Sequence, residues 1–256
     1  MPLKLPPLLL LGALLVTVQL SCVRPRTSET SPTASASPTE QDAIDKILKH
    51  YEEALGGAGA ISSIKTLRMK GTFELPGVTG PIEGWRKDPN KTLTVFEFPG
   101  IGKLKKGFDG ENRWLQTPDG TYVDNHGPEE IAELERDAEV FSAGKIRSVF
   151  ESMKLETRAR INGRDMYVIQ GTPPKGPAEK LFFDMENGLL VRWDMARRLK
   201  NHQTVFVKVH LEDYRDVGGV KMPFNVRFAF ESVNLRIKMD EVELNIPIDD
   251  AVFRKP

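Results

Sequence analysis

Histidines and turn aspartates are the residues of this chain best suited to chemistry, and their spacing argues against it. His50, His126, His202 and His210 form no H-E-x-x-H or other ligand spacing, so neither a metal site nor a cofactor is expected. Asp109, Asp184, Asp213 and Asp216 sit in or beside turns, where a short carboxylate caps its own backbone. Turn chemistry accounts for them better than general acid–base pairing does. No G-x-S-x-G and no P-loop occurs, and Gly100-Ile-Gly102 is too short a match to count. Lys103, Lys105 and Lys106 form a small basic patch, which reads as a solvated strand edge blunted by lysine. The chain is therefore read as non-enzymatic, and its functional surface is sought among apolar side chains.

Composition narrows the partners. Lys+Arg and Asp+Glu are both 36, so the chain is neutral and has no basic block to hold nucleic acid. With 256 residues, 39% hydrophobic and 28% charged, it can bury one sizeable core and carry accessories.

The N-terminus is an accessory. Residues 1–21 read as a signal peptide, with Lys4 before a nearly unbroken apolar run from Leu8 to Leu20. Cys22, the one cysteine, follows directly, so an intrachain disulfide is impossible. The arrangement resembles a bacterial lipoprotein signal, in which this thiol is acylated and becomes the first mature residue; Ser21 fits the usual box, whereas Gln19 and Leu20 do not. The other reading is an ordinary secretory signal with an incidental cysteine, but no good A-x-A-type site competes nearby. Residues 23–39 are mostly Ser, Thr, Pro and Ala and read as a disordered tether. The expected location is the periplasmic face of the cell envelope, with a membrane held through the N-terminal lipid anchor. Val23 is not the Asp that would retain a lipoprotein at the inner membrane, which favours the outer one.

From residue 40 to 256 the chain reads as a single domain, and its organising stretch lies late. Val205, Val207, Val209 and Leu211 alternate with polar residues, Phe206 being the exception. A period of two marks a half-buried strand. Two more such runs follow the Asp216-Val217-Gly218-Gly219 turn, carrying Val220 to Phe230 and Val233 to Met239. The apolar phase slips between Met239 and Val242, which predicts a bulge near Asp240-Glu241. Shorter alternating runs cover 64–75, 79–87, 91–98, 103–108, 112–117, 154–161, 166–170, 181–183 and 189–195, separated by turn residues. In 91–98, Leu93 and Val95 oppose Phe96 and Phe98, so this strand is either buried on both faces or bulged. Helical spacing recurs twice. Ile44, Ile47, Leu48, Tyr51 and Leu55 form one stripe, ended by Gly56-Gly57. Ile131, Leu134, Ala138 and Phe141 form another after Pro128, and a short helix near Ile146, Val149 and Phe150 follows. The expected fold is mainly β with α: a curved antiparallel half-barrel of about ten strands, with helices covering its concave apolar face. A closed eight-stranded barrel is the alternative, and it leaves the helices without a task.

Several stretches carry a further likeness: Tyr51-Glu-Glu-Ala-Leu-Gly-Gly before Ile64, Phe108-Asp-Gly before Trp114, Phe183-Asp184 through Gly188-Leu189, Asp213-Tyr-Arg-Asp-Val-Gly-Gly-Val-Lys-Met-Pro, and the final Asn245-Ile-Pro-Ile-Asp-Asp-Ala-Val-Phe. In this order they resemble the outer-membrane lipoprotein-sorting superfamily, the LolA/LolB-like half-barrels. The resemblance implies a hollow that receives acyl chains of lipids or lipoproteins, within lipoprotein sorting at the outer membrane. The dedicated carriers gate release with a cavity arginine, and no residue here matches it. The candidate ligand-binding residues are Met69, Phe73, Trp193, Met195, Met222, Phe224 and Phe228. Met and aromatic side chains suit acyl chains of variable shape. The other reading is that helices fill the hollow and these are ordinary core residues; the protein is then an envelope sensor or interaction module with a protein partner. Side-chain size alone does not separate the two.

Overall fold

A computed structural model describes residues 38–123, 146–174, 176–198, 204–230 and 233–256. The leader, Cys22, nearly all of the tether, His126, His202 and the helical run from Pro128 to Phe141 lie outside the described residues. Helix α1 (Pro38–Leu55) forms on the expected stripe, with Ile44, Ile47, Tyr51 and Leu55 all buried. Gly56 ends it at φ 123°, and a Cβ there would lie 2.1 Å from the Gly219 carbonyl oxygen. That close approach pins the end of α1 against a distant hairpin turn. A short helix α2 (Gly57–Ser62) comes next.

The described residues contain fourteen strands: β1 (Thr66–Leu75), β2 (Val78–Lys87), β3 (Lys91–Phe98), β4 (Gly102–Phe108), β5 (Arg113–Gln116), β6 (Tyr122–Val123), β7 (Ser152–Leu155), β8 (Ala159–Ile161), β9 (Arg164–Thr172), β10 (Glu179–Asp184), β11 (Leu190–Arg198), β12 (Thr204–Val217), β13 (Val220–Ala229) and β14 (Asn234–Leu244). A single helical turn, α3 (Ile146–Val149), precedes β7. The sheet order is β6-β5-β4-β3-β2-β1-β14-β13-β12-β11-β10-β9-β7, with β8 paired to β9. Adjacent hairpins supply nearly every pairing, and the β1–β14 ladder joins the first and last strands. Strands β6 and β7 stand at opposite ends and do not meet, so the curved sheet stays open rather than closing as a barrel.

The strands beyond the expected ten are short. β6 has two residues, β8 three, and β5 and β7 four each. Pieces of that length show no readable period. The run 154–161 is accordingly divided between β7 and β8. The bulge sits where the phase slip puts it: Lys70 pairs with Glu241 and Gly71 with Met239, leaving Asp240 unopposed. Phe206, the exception to its strand's alternation, is exposed.

Apolar side chains gather on both faces. On the inner face, α1 and α3 cover the largest cluster, which runs from β7 to β13. A second cluster, around Phe73, Ile82, Phe96 and Phe98, extends the inner face toward β4 and β5. Leu93 and Trp114 belong instead to an outer cluster with Ile248 and Phe253. β3 is therefore buried on both faces, with regular pairing to β2 and β4 and no bulge. The outer cover is the C-terminal segment, folded back as a strap. Asn245 donates its N–H to the Thr66 carbonyl at 2.9 Å, and its side-chain oxygen accepts the Lys65 N–H at 2.7 Å. The Lys87 ammonium donates to the Ile248 carbonyl, and Trp114 Nε1 donates to the Phe253 carbonyl, both at 2.8 Å.

Candidate functional site

Cross-strand neighbours share a face, so the ladder register maps the inner surface directly. One row reads Leu155, Ile169, Leu181, Trp193, Val209, Phe228, Leu235, each the direct partner of the next. A second row reads Leu211, Val226, Ile237, Phe73. α1 lies over part of this surface, with Tyr51 edge-on to Phe183 at 5.4 Å between ring centres. Two polar ties hold its N-terminal half: Glu40 accepts the Leu155 N–H at 2.8 Å, and Asp45 pairs with Arg147 at 3.3 Å.

Beneath the C-terminal half of α1 is a cavity of about 60 Å³, lined by residues that include Tyr51, Leu55, Ile64, Trp193, Leu211, Tyr214 and Met222. Two phenols and an indole put polar atoms into these apolar walls. Tyr214 donates to the Leu190 carbonyl at 2.8 Å. The Tyr51 phenol lies beside that of Tyr214, near enough for the two groups to interact. Burial pushes both phenols above the usual tyrosine range, so both stay protonated. Trp193 Nε1 is buried without a hydrogen-bond partner.

Of the seven residues the sequence nominates, Trp193 and Met222 line this cavity. Met195 belongs to the surrounding cluster and Phe228 packs against it. Phe73 is fully buried in the second inner cluster, where its ring meets Phe96 and Phe98 at 5.4 and 4.9 Å, and Met69 packs there too. Phe224 stands apart: it is buried under the Arg215 guanidinium, 4.5 Å from its ring centre. The phase of β12 changes at Asp213, which takes a left-handed φ of 54°. That change lets Tyr214, three positions after Leu211, join the cavity wall. Tyr51 was legible as part of the helix stripe; Tyr214 was hidden by the break.

The turn aspartates are tied into their own loops. Desolvation, the largest single influence on Asp109, raises its pKa, but the hydrogen bonds it accepts, among them the Glu111 and Asn112 N–H groups, together outweigh it and hold the carboxyl below the usual range. Asp184 is buried, accepts the Glu186 and Asn187 N–H groups and pairs with Arg164 at 2.7 Å. Asp216 accepts the Gly219 N–H. His210 stands on the polar face between Arg192 and Arg227, where partial burial and those cations lower its pKa. Among the described residues no three His, Cys, Asp or Glu side chains gather in a metal-holding group.

A larger cleft of about 340 Å³ lies on the outer face beside the strap, lined among others by Trp85, Leu93, Val95, Lys103, Lys105 and Val252. Lys103 and Lys105 thus line a cleft, with Lys103 paired to Glu97 at 3.1 Å.

No protein-family model and no curated protein sequence matches the chain. Solved structures do. A DUF1329 family protein from Desulfovibrio piger is 14% identical, with a TM-score of 0.56 over 82% of this chain and 97% of that one. A LolA superfamily protein from Nitrosomonas europaea is 11% identical, with a TM-score of 0.56 over 82% and 97%. A candidate outer membrane lipoprotein-sorting domain from Vibrio parahaemolyticus is 9% identical, with a TM-score of 0.54 over 82% and 96%. At these identities the likeness establishes the fold, and the fold is the half-barrel the sequence resembles.

Proposed function

We propose that this chain is a non-enzymatic cell-envelope protein that receives an acyl chain of a lipid or lipoprotein on its inner face, beneath α1. The observation that carries the reading is the unbroken apolar row across seven strands, covered in part by one amphipathic helix. A soluble domain with this fold needs cover for that surface, and an acyl chain is chemically equivalent to the helix stripe that covers it. A space of about 60 Å³ is well below the roughly 300–1,000 Å³ of a small-molecule pocket. Entry therefore requires α1 to lift, and its mostly apolar attachment suits that movement. Acylation of Cys22 after removal of residues 1–21, attachment to the outer membrane and a part in lipoprotein sorting complete the proposal.

Extraction of the purified protein and mass spectrometry should find copurified lipid, and a fluorescent fatty-acid analogue should bind. Absence of both would end this reading. The small cavity favours a second one, an envelope sensor or interaction module whose interior stays filled. In that case cross-linking in cells captures a protein partner and the purified domain carries no lipid.

A further inference from the structure

We infer that the Trp193 indole N–H is the polar anchor of the inner face, and that it holds the carbonyl oxygen of an acyl group. This rests on the acyl-binding reading and adds to it the atom that fixes the ligand's depth. Trp193 is 2% exposed, lines the cavity beneath α1, and its Nε1 has no partner. The indole of Trp114 shows the usual arrangement for a buried one, with its N–H on the Phe253 carbonyl at 2.8 Å. Buried donors are normally paired, and an unpaired one is costly to keep.

The neighbours of Trp193 do not satisfy it. Neither the Tyr51 nor the Tyr214 phenol oxygen accepts its N–H, since Nε1 has no hydrogen-bond partner. An indole can only donate. The complementary group is therefore an acceptor. Apart from the exposed Lys221, the remaining wall is apolar, from Leu55, Ile64, Val209 and Leu211 among others, so the acceptor must be attached to an apolar chain. An acyl carbonyl meets both conditions, whether it belongs to a lipid ester or to a free fatty acid. An ammonium headgroup would find no anionic side chain in the wall.

The test titrates purified wild type and Trp193→Phe with dioleoyl phosphatidylethanolamine, its dialkyl ether analogue, oleic acid and oleyl alcohol. Wild type should bind at least one carbonyl ligand roughly tenfold more tightly than its carbonyl-free counterpart. The ester or the acid arm then identifies the source. Trp193→Phe keeps the apolar ring body and should erase the preference while still binding the carbonyl-free ligand. Equal wild-type affinity for ester and ether, and for acid and alcohol, overturns the anchor and leaves acyl binding standing. Binding of none of the four overturns both. Should the variant not fold, the indole N–H resonances of wild type decide: the Trp193 proton should move downfield with a carbonyl ligand only, while that of Trp114 stays. An unmoved Trp193 proton contradicts the assignment.

Discussion

Trp114 donates its indole N–H to the Phe253 carbonyl across 2.8 Å, and this bond holds the C-terminal strap against the outer face of the sheet. Both side chains are almost wholly buried. Trp114→Phe strands that carbonyl while keeping an aromatic ring, and should cost about 1–3 kcal/mol. Phe253→Ala leaves a cavity in the same cluster and should cost about 3–5 kcal/mol. Urea denaturation measures both. A smaller loss for Phe253→Ala than for Trp114→Phe would mean that the strap is not packed into this cluster.

The strap also carries a pH signature. Asp250 lies 2.6 Å from Lys87 and 2.5 Å from Lys91, whose hydrogen bonds lower its pKa from 3.8 to about 2. A depressed carboxylate contributes stability that is complete above its unfolded value and lost as pH falls through its folded value. Asp250→Asn should thus be less stable than wild type at neutral pH, and the gap should close between pH 3.8 and about 2. A gap that persists unchanged at pH 2 would contradict this pairing.

Strands with a clear alternation, their hairpin turns, the helix stripe and the bulge at Asp240 were legible because each arises from a period in the side chains. The strap was not. Ile246, Ile248, Val252 and Phe253 have no common period, and their partners lie over 100 residues away in sequence. The trace it left was the two-sided apolar pattern of 91–98, which a periodic reading cannot distinguish from a bulge. At the candidate site, the left-handed Asp213 shifted the facing of the residues after it, so a strict alternation assigned Phe224 to the hollow and omitted Tyr214. Packing decides whether an apolar surface is core or pocket, and packing is not written in spacing.

The two glycines after α1 should respond unequally to a methyl group. Gly56 and Gly57 both have positive φ, 123° and 85°, but only at Gly56 would a Cβ meet the Gly219 carbonyl. Gly57→Ala should cost about 1–2 kcal/mol for the backbone conformation alone. Gly56→Ala should cost distinctly more, because the end of α1 must move off the β12–β13 turn. Thermal or urea melts of the two variants check the order, and equal losses would remove the pinning contact from the account.

Buried phenols give a similar ordering. Tyr214→Phe removes the donor to the Leu190 carbonyl in a buried setting and should cost about 1–3 kcal/mol. Tyr51→Phe leaves that bond intact and should cost about 0.5–1.5 kcal/mol. Reversed magnitudes in denaturant titrations would contradict the Tyr214–Leu190 bond as the stronger tie.

The central claim is that an acyl chain lies under α1, next to Trp193, and not in the larger outer cleft beside Trp85 and Trp114. Fluorescence quenching by a phospholipid brominated at mid-chain tests this most directly, because heavy-atom quenching requires near contact. Wild type should be quenched on titration, and Trp193→Phe should lose most of that quenching while Trp85 and Trp114 continue to emit. Quenching of equal extent in both proteins, or none in wild type, would contradict the account.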